Sequence, residues 1–322
     1  MRSAVDKKNF WQDLILAKKP ILALAPLAGF TDLSFRQICS SYGADVVYSE
    51  MASAAAIYYN QDDLESRTFD LIRSGESEEK NLVIQLFGSK PEHFALAARL
   101  VTERFSPAGI DINFGCPVPK VIKQGAGSAL MEDLDRSRQV IEAVLNNTDL
   151  PVSIKIRTQS SSVRAEDFLK SISDLPLAAL MIHGRSLRQG FAGTPDWDLL
   201  KRLKPLFNGV LIANGGLNNL ADAKKCLLES GADGLGLARG ALGRPWLFKE
   251  IKEDQRIDYD WSAVSSLMLR QANMVFADKG KPGLLELRKH LVWYVSGFPE
   301  ASKIRGELVK IESLDDLMKI LL

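Results

Sequence analysis

The 322 residues carry 41 Lys plus Arg against 40 Asp plus Glu, a formal net charge of +1, with 46% hydrophobic and 25% charged residues. That balance excludes a wholly disordered chain and a uniformly basic nucleic-acid binder, and no run approaches the roughly 20 apolar residues that span a bilayer. The length suits one barrel-sized domain with a smaller unit attached.

Residues 1–20 scatter charge through Asp6, Lys7, Lys8, Asp13, Lys18 and Lys19 and lack the apolar run of a secretory signal, so a cytoplasmic protein is expected, with a monomer as the plain reading. Short β-rich apolar runs then alternate with helical patterns. They fall at 21–25, 45–49, 82–87, 109–113, 152–157, 179–183, 210–214 and 234–238. Most are apolar on both faces, as buried parallel strands are. Helices are marked by Ser89 and Pro91 before 91–104, by Asp133 before 134–145, and by Gly231 closing 220–230. The connection over 51–81 is long, polar toward its end and without a clear period. Eight alternations predict an α/β fold, a (β/α)8 TIM barrel over residues 1–250. Beyond it, 261–278, 284–295 and 301–322 read as helices with no strand between them, so residues 251–322 are expected to form a C-terminal all-helical domain.

In such a barrel the site is built by the loops after the strands. Here those positions give Pro26-Leu27-Ala28-Gly29, Ser49-Glu50-Met51, Gln85 with Gly88, and Asn113-Phe114-Gly115-Cys116-Pro117, then Lys155 and Arg157, His183-Gly184-Arg185, Asn214-Gly215-Gly216 and Ala238-Arg239-Gly240. The last two segments suit a phosphate, since glycines admit close backbone approach and Arg239 adds a charged fork. A phosphate-bearing cofactor is implied. The glycines of residues 234–240 do not fit a dinucleotide fingerprint. Lys155 reads as a Schiff-base lysine, an interior ion-pair partner or a charge stabiliser. Arg157, two residues along on the same strand face, favours the last. His183 reads as a cofactor ligand or a satisfied core histidine, and His93 and His290 sit in helices without a case for function. The three cysteines stand far apart with no CxxC pair, and no metal site is expected. Cys39 and Cys226 lie in apolar helical stretches and read as core, whereas Cys116 lies in a post-strand loop.

Taken together, Ala25 to Asp32, Ser49-Glu50-Met51, Val83 to Gly88, Asp111 to Pro117, Lys155-Ile156-Arg157, His183-Gly184-Arg185, Asn214-Gly215-Gly216 and Ala238 to Trp246 resemble the tRNA-dihydrouridine synthase family. Arg288 to Leu291, Trp293-Tyr294 and Gly297 to Pro299 look like its helical domain, so the resemblance covers roughly residues 21–305 in order. It implies FMN as cofactor, NADPH as reductant and tRNA as partner, with uridines reduced to dihydrouridine. By position, Pro26, Leu27, Ala28, Gln85, Lys155, His183, Asn214, Gly215, Gly216, Ala238 and Arg239 would hold FMN and Cys116 would be the proton donor. Asn113, Arg157, Arg185 and Lys120 are expected on the substrate side, with Lys123 beside Lys120 for RNA backbone. The tail would add Lys279, Lys281, Arg288, Lys289, Lys303, Arg305 and Lys310 to the RNA surface. Leu27 stands where the family commonly has methionine and Gly216 where it commonly has aspartate; both contacts are expected through backbone. The rival readings are a flavin barrel acting on a free pyrimidine, a tRNA-binding factor with a vestigial flavin, and an aldolase-type barrel using Lys155.

Overall fold

A computed structural model describes residues 9–63, 66–73, 79 and 81–322. The readings made at Asp6, Lys7 and Lys8, and part of the polar end of the second connection, lie outside the described residues.

The chain opens with α1 (Phe10–Leu16), β1 (Ile21–Leu24), α2 (Leu33–Ser41), β2 (Val46–Tyr48), β3 (Ala52–Ser53), α3 (Ala54–Tyr59) and α4 (Arg67–Asp70). There follow β4 (Leu82–Phe87), α5 (Pro91–Phe105), β5 (Gly109–Asn113), α6 (Pro119–Ile122), α7 (Leu134–Leu145), β6 (Val152–Arg157) and α8 (Ala165–Ser171). Then come β7 (Ala179–His183), α9 (Trp197–Leu203), β8 (Val210–Asn214), α10 (Leu220–Ser230), β9 (Gly234–Leu237) and α11 (Leu247–Glu253). All strand pairings are parallel, and β1 joins both β2 and β9 while β2 joins β4, which closes the sheet into a barrel.

Eight strand positions were expected, and the second is split. Val47 and Tyr48 pair with Leu82 and Val83, whereas Ala52 and Ser53 pair with Leu86 and Phe87. The first strand of that pair advances five residues while its partner advances four, so one residue is extra, as in a β-bulge. The bulge presents Glu50 to the backbone N–H of Gly29, pinning the loop after β1. The aperiodic connection is thereby explained: it holds β3, α3 and α4, elements too short to show a period.

Side chains alternate along each strand. Leu22 and Leu24 face the outer helices in the main core. Ile21, Ala23, Tyr48, Val83, Met181 and Ile212 point into the barrel, where Trp11 of α1 packs with them. The first helix thus plugs the N-terminal end of the barrel, and truncating Trp11 falls among the core deletions that cost about 3–5 kcal/mol.

The helical C-terminal region comprises α12 (Trp261–Tyr294), α13 (Ala301–Leu308) and α14 (Leu314–Leu321). The two helices expected over 261–278 and 284–295 are both present within α12, separated at Gly280, whose φ of 61° and ψ of −149° are not helical. Their apolar cluster includes Ile38 of α2 and Trp246, so this region packs directly on the barrel. Glu250, where the sequence reading ends the barrel, sits buried inside α11 and accepts from Arg244 and from the Ile257 N–H. Among the described residues no helix is long and apolar enough to cross a membrane.

Several tail cations are engaged within this region. Arg288 and Arg305 donate to the carbonyls of Ile311 and Val292, while Lys279, Lys281 and Lys303 pair with Glu286, Glu312 and Glu300. Val292 lies in the last turn of α12, where carbonyls lack intrahelical partners and a guanidinium can satisfy them, while Ile311 lies in the connection between α13 and α14.

At Gly243 the backbone after β9 lies tightly against α12. The glycine's φ is +69°, and a Cβ there would lie 2.4 Å from the carbonyl carbon and oxygen of Trp293. Gly243→Ala is therefore expected to destabilise the protein by about 2–4 kcal/mol, read as a lowered urea midpoint. A midpoint equal to wild type would show that the two segments separate without cost.

Candidate active site

Strand alternation that buries Val83, Ala179 and Val210 at the base of the barrel places Gln85, Asn113, Lys155, His183 and Asn214 on the same inward face nearer its C-terminal end. These residues line one cavity there. Of the other expected site residues, Pro26, Leu27, Ala28, Cys116, Arg157 and Arg185 line it too, as do Gly215, Gly216, Ala238 and Arg239. Lys120 does not: it is exposed on α6, outside the wall. Met51, from the segment after the second strand, lines it as well, together with Phe191 and Asn218, which the strand-end reading does not include.

The cavity is electrostatically one-sided. Lys155, Arg157, Arg185 and Arg239 line it, and no Asp or Glu stands among the described lining residues. On one side Asn214 donates to the Gly236 carbonyl at 2.6 Å, holding β8 against β9 where the glycine loop begins. Gly215 follows at φ +100°, and a Cβ there would sit 2.3 Å from the His183 ring. The loop can lie against the imidazole because residue 215 has no side chain. His183 is held down to about 2 by its burial, then by Lys155, Arg157, Arg185 and Arg239, so the ring is neutral at ordinary pH.

Arg239 stacks over the Phe191 ring at 4.2 Å from its centroid, a cation–π contact of about 0.5–1 kcal/mol at so exposed a ring. Arg185 donates to the Gly193 carbonyl at 3.0 and 2.7 Å. Arg157 donates to the carbonyls of Gly115, Ser186 and Gly190 at 2.9, 3.2 and 3.1 Å. Both arginines, expected at the substrate, thus brace the loop after β7, and Arg157 ties that loop to the Cys116 segment.

Cys116 is half-buried. Its N–H donates to Asn113 Oδ1 at 2.9 Å, and its carbonyl accepts from Ser128 Oγ at 2.9 Å. Burial pushes the thiol up, against a backbone hydrogen bond from Val118 and the charges of Lys155 and Arg157, so it keeps its proton at neutral pH. Below the cavity lies Asp111, which the sequence reading passed over. Burial raises its carboxyl to about 6 against hydrogen bonds from Gln85 and Ser153. The signal was available: on β5 a carboxylate stands two residues before Asn113, on the same strand face, with isoleucine on either side.

Lys155 is lowered to about 8, first by burial and then by Arg157, with Asp111 and Cys116 acting the other way. As pH rises through that value the ammonium loses its proton, and the cavity loses one of its four positive charges. Competitive acylation of the full-length protein across roughly pH 6–11 is expected to find Lys155 titrating well below the other lysines. Titration at the ordinary lysine value of about 10.4 would show that it is solvated.

Solved structures share the barrel. Histamine dehydrogenase from Rhizobium sp. 4-9 superposes with a TM-score of 0.56 at 11% identity over 79% of this chain and 49% of its own. A 2-naphthoyl-CoA reductase gives 0.56 at 10% identity over 73% and 50%. The chain spans about half the length of these two structures, and at such identity they show the fold alone. Sequence relatives cover far more. A "Probable tRNA-dihydrouridine synthase" of Rickettsia conorii is 34% identical over 294 residues, 88% of this chain and 87% of that protein. "tRNA-dihydrouridine synthase B" of Pseudomonas aeruginosa is 32% identical over 302 residues, covering 91% and 89%. The family model for dihydrouridine synthase (Dus) matches residues 23–322, almost the whole barrel and the helical region after it, and the chain belongs to that family.

Proposed function

We propose that this protein is an FMN-dependent enzyme of the cytoplasm that reduces particular uridines of tRNA to 5,6-dihydrouridine, with NADPH as reductant. The observation that carries the reading is the single cationic cavity, in which the glycine-opened loop after β8, inward amides and a protonated thiol converge.

The residues present fit FMN. Backbone at Gly215 and Gly216, with Arg239, suits a phosphate dianion, because positive-φ glycines let N–H groups approach it closely. Pro26, Leu27, Ala28 and Gln85 would hold the ring from the facing loops. Lys155 would stand against its electron-rich edge, and the neutral His183 and Ala238 would stand beside the phosphate arm. When bound, FMN supplies a hydride to uracil C6. The chain's own task is the matching proton at C5. Cys116 would give it, a reading supported by a thiol that is protonated at neutral pH, lies on the cavity wall, and is held at its backbone by Asn113. Asn113 would meet the uracil edge. Arg157 and Arg185 would act on the substrate side mainly by fixing the loops that frame it.

A stacked base cannot reach the cavity, so the uridine must leave its helix and enter from the barrel mouth. Lys120 and Lys123, exposed beside that mouth on and just after α6, would meet the RNA backbone, and the helical region from about residue 251 would supply further surface. A free-pyrimidine enzyme would give that region no such role.

Two experiments test the reading. Protein reduced anaerobically is expected to be reoxidised quickly by unmodified tRNA and poorly by uridine monophosphate; equal rates would favour a free-pyrimidine enzyme, and a colourless protein would remove the flavin. Cys116→Ala is expected to keep its flavin and lose about 10²–10⁴ in turnover, as loss of a general acid implies. Undiminished turnover would exclude Cys116 as the proton donor.

A further inference from the structure

Beneath the cavity three strands carry a row of aligned polar side chains. Gln85, Asp111 and Ser153 are partners across β4, β5 and β6, and all three are buried. Asp111 accepts from Ser153 Oγ on one carboxylate oxygen and from Gln85 Nε2 on the other, each at 2.7 Å. From Gln85 the chain of bonds climbs toward the cavity. Gln85 Oε1 accepts from Asn113 Nδ2 at 2.8 Å, and Asn113 Oδ1 accepts the backbone N–H of Gly115 at 3.1 Å and of Cys116 at 2.9 Å.

Both ends of this chain are chemically one-way. A carboxylate accepts and does not donate, while a backbone N–H donates and does not accept. The two amides between them therefore have one orientation each that satisfies every link. Turning either one sets oxygen against oxygen and N–H against N–H, and at full burial each broken link leaves an unsatisfied group.

We propose that Asp111 is a positioning residue: it sets the orientation of the Gln85 and Asn113 amides and thereby fixes the loop that carries Cys116. The consequence for catalysis rests on the reading of Cys116 as proton donor given above. With this polarity the amide nitrogens keep further hydrogens. Asn113 Nδ2 lies 3.7 Å from Met51 Sδ, a weak acceptor that a carbonyl oxygen would outcompete. The Gln85–Asn113 pair thus offers the cavity N–H donors, and the edge it selects is a carbonyl.

Alkylation of the full-length protein as purified, without tRNA, tests the proposal. Cys39 and Cys226 are buried and Cys116 is half-buried, so iodoacetamide reads the Cys116 loop. Asp111→Val removes the acceptor at similar volume and suits a strand. Asp111→Asn keeps an oxygen toward Gln85, because the Ser153 hydroxyl can turn and accept from the new amide. Cys116 is expected to react at least about tenfold faster in Asp111→Val and within about threefold of wild type in Asp111→Asn, with Cys39 and Cys226 protected throughout. A rate within about threefold of wild type in Asp111→Val would overturn the proposal, and so would equal acceleration in both variants, since loss of charge would then suffice. Should Asp111→Val fail to fold, Gln85→Met cuts the same chain one link higher and is held to the same expectation. The readout needs neither flavin turnover nor tRNA. Its failure leaves the proposed function standing, whereas an active Cys116→Ala enzyme would remove the acid and leave the alkylation result intact.

Discussion

A side chain that points into a closed eight-stranded barrel has little bulk water to turn to, so a polar group placed there is costly unless another answers it. The chain meets this constraint by grading the interior along the barrel axis. The base is apolar and plugged by Trp11, and the level above carries Gln85, Asp111 and Ser153 bonded to one another. Above that stand Asn113 and Lys155, partners across β5 and β6, and then the loops. Polarity rises with distance from the plug. The cavity opens at the C-terminal end, and the opposite end is closed by Trp11.

The same constraint accounts for the electrostatics. Four cations line the cavity without a carboxylate beside them among the described residues, and Asp111 below acts against the lowering of one of them, Lys155. That arrangement leaves the cavity in deficit of negative charge, a deficit that an anionic ligand can fill. Burial and Arg157 lower the Lys155 ammonium, and His183 answers the same field by staying neutral. The thiol of Cys116 feels the cations less than it feels burial, and so keeps its proton.

Much of this was legible in the sequence because parallel barrel strands announce themselves as apolar runs, and polar residues at their ends stand out against that background. All eight strand positions were located, and Cys116, Lys155 and Arg239 were placed at the mouth. What escaped notice was of two kinds. Elements of two to six residues, such as β3 and α3, are shorter than the period that would reveal them. Roles defined by a partner far away in sequence were hidden as well. The sequence does not show that Arg157 also ties loops together through Gly115, Ser186 and Gly190, and Asp111 looks like one polar residue in a strand until Gln85 and Ser153 flank it.

His290 shows how far that second kind extends. By sequence it is one more helical residue, yet its ring is wedged edge-on between Phe30 and Phe35, on either side of Asp32, and is lowered to about 4, chiefly by burial. Its neighbour Lys289 reaches over Phe30, with its ammonium 3.5 Å from where a Cβ on Gly29 would be. Glu50 grips that same Gly29 from the bulge in the second strand. The loop Pro26 to Gly29 is thus clasped by the barrel on one side and by α12 on the other, while Gly243 brings the loop after β9 against the C-terminal end of the same helix. Helix α12 therefore touches two of the loops that wall the cavity. These contacts with the loops after the first and last strands make α12 part of the barrel's mouth and not an appendage to it.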